Sequence, residues 1–280
     1  MSGLNRRAFL KGSALGLAAM SATARLTQAA ESPFGPFKMG MQTYSVRNWK
    51  VFDEVLQKAT ELGLTHLEFW NGHMPQTTDA AKIDEMKKKL AAVNIKPAAY
   101  GVVNMGADPK ANRAVFEFAA AMGIETVSVD FDPKSIISLD RLCEEFPNIK
   151  LGIHNHGPRS RYQTPDDVLN CVKDHHKNIG ATADLGHYIR SLVDPLEVIE
   201  KLKDRLYGIH FKDFKINDQG KETGEAIPGD GKLKVKETLA LLKKVNFQGC
   251  LSLEYESNPK DPLPDMKVAL ERIKAAIKEL

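Results

Sequence analysis

The sequence predicts a single-domain α/β protein with the (β/α)8 (TIM) barrel fold, and two observations support this prediction. From residue 38 onward, short apolar runs alternate with longer segments of helical periodicity, and this pair recurs eight times at a spacing of about 30 residues. An open, doubly wound sheet would carry a glycine-rich phosphate loop after its first strand, and residues 39–45 lead into no such loop. Eight consecutive strand–helix units therefore favour a closed barrel of parallel strands.

Each predicted strand is followed by a segment with the periodicity of an amphipathic helix. The strands are predicted at residues 39–45, 65–70, 96–104, 125–131, 149–156, 179–187, 206–214 and 249–256. The helices are predicted at residues 49–63, 79–94, 109–123, 134–147, 165–178, 195–204, 233–246 and 264–280. Helix starts carry a capping side chain followed by proline at Asp108, Thr164 and Asp194. Gly63, Gly123 and Gly249 lie between a helix and the next strand, where we expect a left-handed residue.

The longest predicted connection lies between the seventh strand and its helix, at residues 214–232. It is too long to be a simple turn. In a TIM barrel this connection leaves the C-terminal ends of the strands, which is the end that carries the chemistry. We therefore expect it to fold over the mouth of the barrel.

Residues 1–30 have the features of a bacterial export signal of the twin-arginine type. Arg6 and Arg7 precede Phe9-Leu10-Lys11, and a mildly apolar stretch then ends in small residues near Ala29. The apolar stretch is too short and too weak to span a membrane. We therefore expect an exported, periplasmic protein whose mature barrel occupies residues 31–280, with no membrane span.

The mature chain has almost no net charge. Removing residues 1–29 removes four basic residues and no acids, so the basic count falls from 39 to 35 against 36 acids, and the net charge changes from +3 to −1. This balance gives no electrostatic support for a nucleic-acid partner. Cys143, Cys171 and Cys250 lie in apolar segments without metal-binding spacing, so we expect buried thiols and no disulfide framework.

Polar side chains concentrate where the predicted strands end. These residues are Glu68 and Trp70, Tyr100, His154 and His156, Asp184 and His187, His210 and Lys212, and Glu254, on strands 2, 3, 5, 6, 7 and 8. The C-terminal ends of barrel strands meet at one mouth, so these side chains are expected to converge. A single histidine at a strand end is often only a hydrogen-bonded structural residue, but four consecutive strands end here in a residue that can bind a cation. Imidazoles and carboxylates without thiolates predict one divalent ion: manganese, zinc, cobalt or iron.

The motifs GIHNHG, ADLGH, GIHFKD, PGDG and FQGCLSLEYE, in this order, resemble those of the xylose-isomerase-like TIM barrels, described as sugar phosphate isomerases/epimerases. The resemblance covers about residues 38–278. It implies that His154, Asp184, His210 and Glu254 hold the metal, and that His187 contacts substrate hydroxyls. Many relatives carry Glu where this chain has His154, and in ketose epimerases that Glu is one of two proton-transfer bases. This difference puts a symmetrical two-carboxylate epimerisation in doubt.

Such a site would act on a sugar through an enediolate. A metal that chelates a carbonyl and a neighbouring hydroxyl acidifies the adjacent C–H bond, and a base removes the proton. Glu254 or His187 is expected to be the base, and Lys212 or His156 to protonate or stabilise the oxyanion. His156, Glu68, Trp70 and Tyr100 are expected to bind substrate, the aromatic rings by packing against a sugar.

The first functional expectation is therefore a metal-dependent isomerase or epimerase of an unphosphorylated sugar, because an exported enzyme would not meet cytoplasmic sugar phosphates. The main alternative is a lyase or hydrolase that eliminates from a 3-keto-glycoside through the same carbanion. An endonuclease-like phosphodiesterase is disfavoured by the charge, and by a third strand that ends without histidine. A non-catalytic sugar-binding barrel would not need four metal-type residues. The sequence leaves the oligomeric state open, with a homodimer among the options.

Overall fold

The computed structural model describes residues 32–280. The predicted export signal at residues 1–30 lies outside the described residues. Within the described part of the chain, no helix is both long enough and apolar enough to cross a membrane.

Eight parallel strands close into a barrel, as the sequence predicts. The ten strands of the described chain are β1 Lys38–Gln42, β2 His66–Phe69, β3 Lys96–Met105, β4 Thr126–Phe131, β5 Lys150–His154, β6 Ile179–Asp184, β7 Leu206–Phe211, β8 Asp213–Ile216, β9 Glu222–Ala226 and β10 Cys250–Leu253. The barrel order is β1-β2-β3-β4-β5-β6-β7-β10, and β10 pairs with β1 to complete the closure. The four strand ends that carry the predicted ligands, β5, β6, β7 and β10, are consecutive in the barrel.

Helices surround the barrel at α1 Phe52–Glu61, α2 Ala80–Ala92, α3 Pro109–Met122, α4 Ile136–Glu145, α5 Pro165–Val172, α6 Leu185–Arg190, α7 Pro195–Leu202, α8 Val235–Lys244 and α9 Leu263–Lys278. The predicted caps of α3, α5 and α7 are confirmed, because Asp108, Thr164 and Asp194 each accept a backbone N–H of the first turn. Gly123 is the left-handed residue after α3, as expected.

Gly249 does not have the expected left-handed backbone. Asn246 takes that conformation instead, with a φ of 55°. Gly249 is required for another reason, since a Cβ at this position would clash with the backbone carbonyl of Tyr207. The close approach of two chain segments therefore selects glycine here.

The long connection after β7 forms an antiparallel hairpin of β8 and β9. The carboxylate of Asp213 fixes the return of the chain by accepting backbone N–H groups from Gly229, Gly231, Lys232 and Leu233. Glu225 of the hairpin accepts the backbone N–H groups of Glu256 and Ser257, which follow β10. The connection is thus attached beside the C-terminal ends of the strands, and the expectation that it folds over the mouth stays a prediction.

The barrel interior contains a layer of hydrogen-bonded polar side chains. Its members, which come from β2, β4, β6, β7 and β10, are Glu68, Ser128, Thr182, His210 and Ser252, and all are buried. Their apolar neighbours along the strands, such as Leu67, Ile209 and Leu251, are also fully buried and belong to the main hydrophobic core. This alternation follows from the two-residue period of a strand, and it places a polar floor directly beneath the mouth.

Candidate active site

Four side chains converge at the mouth of the barrel with the geometry of a metal centre. His154, Asp184, His210 and Glu254 are buried, and each offers one ligand atom within 4.8 Å of the other three. The Nε2 atom of His154 lies 3.0 Å from Nδ1 of His210 and 3.6 Å from Oδ2 of Asp184. Nδ1 of His210 lies 3.0 Å from Oε2 of Glu254 and 3.7 Å from Oδ2 of Asp184. The four residues that the resemblance implies as ligands are therefore brought together.

The carboxylate oxygens of this cluster provide a test of whether a cation fits. Oδ2 of Asp184 and Oε2 of Glu254 are buried and accept no hydrogen bond from the described part of the chain, although Nζ of Lys212 lies 3.4 Å from Oε2 of Glu254. Burying charged oxygens that lack hydrogen bonds is costly, and a divalent ion between them would reduce that cost. Four of the six separations between ligand atoms are 3.0–3.7 Å, near the edge of about 3.3 Å expected for a tetrahedron with bonds of 2.0–2.1 Å, and all six are within 4.8 Å. The donor set therefore fits a divalent cation of the zinc or manganese type.

Glu68, predicted to bind substrate, supports the cluster from below and is not among the residues that line the cavity. Its Oε2 atom accepts hydrogen bonds from Nε2 of His210 at 2.9 Å and from Ser252 at 2.7 Å. Its Oε1 atom accepts one from Ser128 at 2.6 Å. With one proton of His210 held on Nε2, Nδ1 is the nitrogen that faces the other ligands. Such a carboxylate–histidine pair is the usual way that proteins orient a metal ligand. Burial acts against a second proton, but the carboxylates of Glu68 and Glu254 outweigh it and raise the pKa of His210 well above its usual value, so a bound cation would take the place of that proton on Nδ1.

Asn155 is a functional residue that sequence reasoning did not assign. It is fully buried between the two histidines of the fifth strand end. Its Oδ1 accepts the backbone N–H of Asp184 at 2.8 Å, and its Nδ2 donates to the carbonyl of Asp184 at 3.0 Å. These two bonds hold Asp184 beside His154. The sequence signal that could have identified Asn155 is its position between two histidines at the end of the fifth strand.

His187 lies on helix α6, not on the sixth strand where the sequence places it. The strand ends at Asp184, whose Oδ1 accepts the backbone N–H of His187 at 2.7 Å and so caps the helix. This turn brings Nε2 of His187 to 3.8 Å from Oδ2 of Asp184. Burial of the imidazole lowers the pKa of His187 to about 4, despite the nearby charge of Asp184.

Lys212 lies beneath the cavity, paired with two carboxylates. Its Nζ is 3.4 Å from Oε2 of Glu254 and also bonds to Glu256, and the residue is 1% exposed. Burial acts against the charge, but the carboxylates of Glu254, Asp184 and Glu256 outweigh it and raise the pKa of Lys212 above its usual range. Burial also acts against the charge of Glu254, but Lys212 and His210 outweigh it and lower the pKa of Glu254 to about 2. Lys212 therefore stabilises Glu254 as an anion and does not reach the cavity.

A cavity of about 250 Å³ opens above the cluster. It is lined by Gln42, Tyr44, Trp70, Gly101, Val102, His154, His156, His187, Glu254 and Glu256. Two of the predicted substrate-binding residues, His156 and Trp70, are therefore in place. Trp70 packs edge-to-face against Tyr44, with ring centroids 5.2 Å apart. Together the two rings give one wall of the cavity an aromatic surface.

Tyr100, predicted to bind substrate, is not among the residues that line the cavity. The residue is 1% exposed and belongs to the main hydrophobic core. Its ring packs edge-to-face against Phe118 of α3, with centroids 5.3 Å apart. The side chain therefore points outward to the helix layer.

Comparison with protein families matches the model described as "Xylose isomerase-like TIM barrel" over residues 56–276. An uncharacterized protein of Methanocaldococcus jannaschii is 24% identical over 245 residues, covering 85% of this chain and 80% of the relative. An inosose dehydratase of Clostridium tetani is 27% identical over 140 residues, covering 45% of this chain and 46% of that enzyme. The chain thus aligns with about half the length of this dehydratase.

Solved structures share the fold over most of the chain. A protein of unknown function from Parabacteroides distasonis is 26% identical, with a TM-score of 0.66 over 85% of this chain and 98% of that chain. The D-psicose 3-epimerase of Clostridium cellulolyticum (15% identity) gives a TM-score of 0.66 over 86% and 99% of the two chains. The 3-keto-D-glucoside 4-epimerase of E. coli (14% identity) gives 0.67 over 85% and 99%.

Proposed function

Because this chain belongs to the xylose isomerase-like TIM barrel family, we propose that it is a metal-dependent lyase that acts on an unphosphorylated keto-sugar glycoside. It removes the proton next to the ketone and expels the substituent on the following carbon. One observation carries the choice of elimination: of the two histidines and one carboxylate that line the cavity outside the ligand cluster, His187 and Glu256 are held by Arg190 and Lys212, whereas no side chain of the described residues hydrogen-bonds to the imidazole of His156.

The ligand cluster supplies the acidity that the reaction needs. His154, Asp184, His210 and Glu254 would hold a divalent cation, which as a Lewis acid polarises a ketone and lowers the pKa of the adjacent C–H bond. Glu68 and Asn155 keep two of the ligands oriented before substrate arrives. Preorganisation of this kind lowers the cost of charge development at the carbonyl oxygen.

His156 is positioned to accept the proton. It lies above His154, with ring centroids 4.7 Å apart, and it lines the cavity. Partial desolvation and the nearby His154 lower the pKa of His156, although its side chain is open to solvent, and this favours the neutral imidazole with a lone pair available. The C–H electron pair then forms the enolate, and the enolate expels the leaving group from the β carbon as the C=C bond forms. The leaving group takes a proton, so one glycoside gives one enone and one alcohol.

The two carboxylates at the cavity are poor candidates for a second base. Glu254 belongs to the ligand cluster, and both Glu254 and Glu256 are paired with Lys212. Epimerisation needs a proton donor or acceptor on each face of the substrate, whereas elimination needs a base on only one face. The replacement of the strand-5 carboxylate by His154 agrees with a one-base reaction.

The substrate class is inferred from the cavity walls. Trp70 and Tyr44 offer an aromatic surface to a sugar ring. The described residues that line the cavity include no lysine or arginine, and the nearby cations Arg47 and Lys50 lie against the rings of Tyr44 and Trp70, so the lining itself offers a phosphate group no direct cationic contact. Export to the periplasm, which the leader predicts, would also favour an unphosphorylated substrate.

Epimerisation of the same substrates is the second candidate. Glu256 follows β10 and lines the cavity together with His156, which follows β5. If Glu256 were freed from Lys212, the two side chains would flank a bound sugar. The structural likeness to two proteins named as epimerases is consistent with this route, although at 14–15% identity it shows the fold alone.

The test uses the purified protein loaded with Mn²⁺ and methyl 3-keto-glucoside in D₂O. We expect release of methanol and growth of enone absorbance, with both lost in His156→Gln. Deuterium incorporation with inverted configuration, abolished by Glu256→Gln, would instead favour epimerisation. Neither exchange nor elimination with the α or β anomer would overturn the proposed function.

A further inference from the structure

Arg190 contacts His187 on the side that faces away from the ligand cluster. The two residues lie three positions apart on α6, so their side chains share one face of the helix. The Nη1 atom of Arg190 is 3.0 Å from Nδ1 of His187. Arg190 is not among the residues that line the cavity, so it reaches the site only through His187.

This contact determines which nitrogen of His187 carries the proton. A guanidinium group has only N–H donors and stays protonated in proteins. A hydrogen bond from Arg190 therefore requires a lone pair on Nδ1 of His187. In the neutral imidazole the proton must then be on Nε2, the nitrogen that lies 3.8 Å from Oδ2 of Asp184 beside the cluster.

We propose that Arg190 is a positioning residue that fixes His187 as a hydrogen-bond donor, with its Nε2–H directed into the cavity. In the proposed reaction this N–H donates to a substrate oxygen and His187 does not act as a base. This assignment replaces the expectation that His187 could remove the substrate proton. The last step rests on the proposed function, whereas the tautomer of His187 does not.

Arg190 is itself held by the hairpin that follows β7. Its Nε donates to Oε2 of Glu222 at 2.5 Å. Its guanidinium also lies over the ring of Phe214, 5.2 Å from the centroid, and Phe214 stacks near His187. The contacts with Glu222 and Phe214 thus leave the guanidinium little freedom to turn away from His187.

The fifth strand end provides room for this arrangement. A Cβ at Gly157, the residue that follows His156, would lie 3.0 Å from Nη1 of Arg190. A side chain at this position would therefore press against the guanidinium. This close approach explains why the HNHG segment has glycine at position 157.

The tautomer can be read directly by NMR. Long-range ¹H–¹⁵N spectra would be recorded on the purified, ¹⁵N-labelled full chain loaded with Zn²⁺, and His187 would be assigned by its loss in His187→Gln. We expect an unprotonated Nδ1 and a protonated Nε2 in the wild type. In Arg190→Met we expect the two nitrogens to move toward averaged positions as both tautomers become populated. A protonated Nδ1 in the wild type, or a wild-type pattern in Arg190→Met, would overturn the proposal.

Controls separate positioning from a general structural role. Arg113→Met removes an exposed arginine that pairs with Glu145 outside the site, and it should leave the His187 signals unchanged. Arg190→Gln, whose side chain is too short to reach His187, replaces the methionine variant if that variant does not fold, with the same expected and contradicting results. Zn²⁺ content should stay at the wild-type level in both variants.

Activity on methyl 3-keto-glucoside then connects the tautomer to the chemistry. We expect kcat for the Mn²⁺-loaded Arg190→Met to fall by about 10- to 100-fold, the size of effect that follows when a catalytic group is misplaced by about 1 Å. An unchanged kcat with a changed tautomer would contradict the donor role of His187. If the wild type is inactive while the tautomer behaves as expected, the proposed function fails and the structural role of Arg190 stands.

Discussion

Replacement of Glu68 by glutamine tests whether the polar floor of the barrel tunes the ligand cluster above it. Glu68 accepts three hydrogen bonds, from Nε2 of His210, from Ser128 and from Ser252, at 2.6–2.9 Å. Glutamine has nearly the same size but one acceptor oxygen. Its amide would direct N–H groups at donors, so at least one of these bonds must break.

We expect Glu68→Gln to lower both the metal affinity and the free energy of unfolding. Removing the charged partner of a metal-ligating histidine lowers metal affinity by about 10- to 100-fold, because the orientation and basicity of the ring are no longer held. Leaving a buried donor unsatisfied costs a further 1–3 kcal/mol or so of folding free energy. In Glu68→Gln we therefore expect the dissociation constant for Zn²⁺ to rise by at least about tenfold and the metal-free protein to unfold at lower denaturant.

Competition with a chromophoric chelator measures the metal affinity, and urea unfolding of the metal-free protein measures the free energy of unfolding. Glu125→Gln is the matched control, since Glu125 pairs with Lys38 at the surface and its side chain is 64% exposed. That control should change neither quantity beyond about 0.5 kcal/mol. A Zn²⁺ affinity of Glu68→Gln within twofold of the wild type would refute the supporting role of Glu68.

Three further predictions follow from single contacts. His156→Gln should lower the rate of elimination by about 100-fold or more without changing metal content, and a wild-type rate would remove His156 as the base. Asn155→Ala leaves the N–H and C=O of Asp184 unpaired, so urea unfolding should show a loss of about 2–4 kcal/mol, and a loss below 1 kcal/mol would contradict the clamp. Burial lowers the pKa of His73 from 6.5 to about 4. As the pH falls, the unfolded chain therefore binds a proton at a higher pH than the folded protein does. About 2 kcal/mol of stability is lost between pH 8 and pH 5. His73→Leu should remove that part of the acid sensitivity, and equal sensitivity in both proteins would contradict this.

The fold and the ligand set could be predicted from the sequence because both depend on regular spacing. Eight repeats of one pattern specify the barrel, and the rule that strand ends share one mouth brings His154, Asp184, His210 and Glu254 together. The family resemblance assigns these four as ligands, and their convergence in the structure agrees with it.

The depth of each polar side chain could not be predicted in the same way. The pairing of β2 with β3 shifts register between Leu67 and Glu68, and the pairing of β3 with β4 shifts between Tyr100 and Val103. A two-residue period assumes an unbroken strand, so these irregularities change the level and the face of the residues beside them. Glu68 lies below the mouth, and Tyr100, which pairs with Phe69 and Val127, points to the helices.

Contacts between elements that are far apart in the sequence also could not be predicted from the pattern. Arg190 and Glu222 are separated by 32 residues, and their contact depends on how the hairpin of β8 and β9 returns to the mouth. The helical turn that moves His187 off the sixth strand depends on the cap supplied by Asp184. No spacing rule encodes the first contact, whereas the capping aspartate three residues before His187 was a local signal that the strand pattern did not take into account.

The central claim is that four buried side chains hold one divalent cation on which the chemistry depends. Elemental analysis of the purified protein, after equilibration with Mn²⁺ or Zn²⁺ and removal of excess metal, tests it most directly. We expect about one bound ion per chain, and loss of that ion in His154→Ala and His210→Ala but not in the surface variant Glu125→Gln. Absence of bound metal from the wild type, or full retention in both histidine variants, would contradict it.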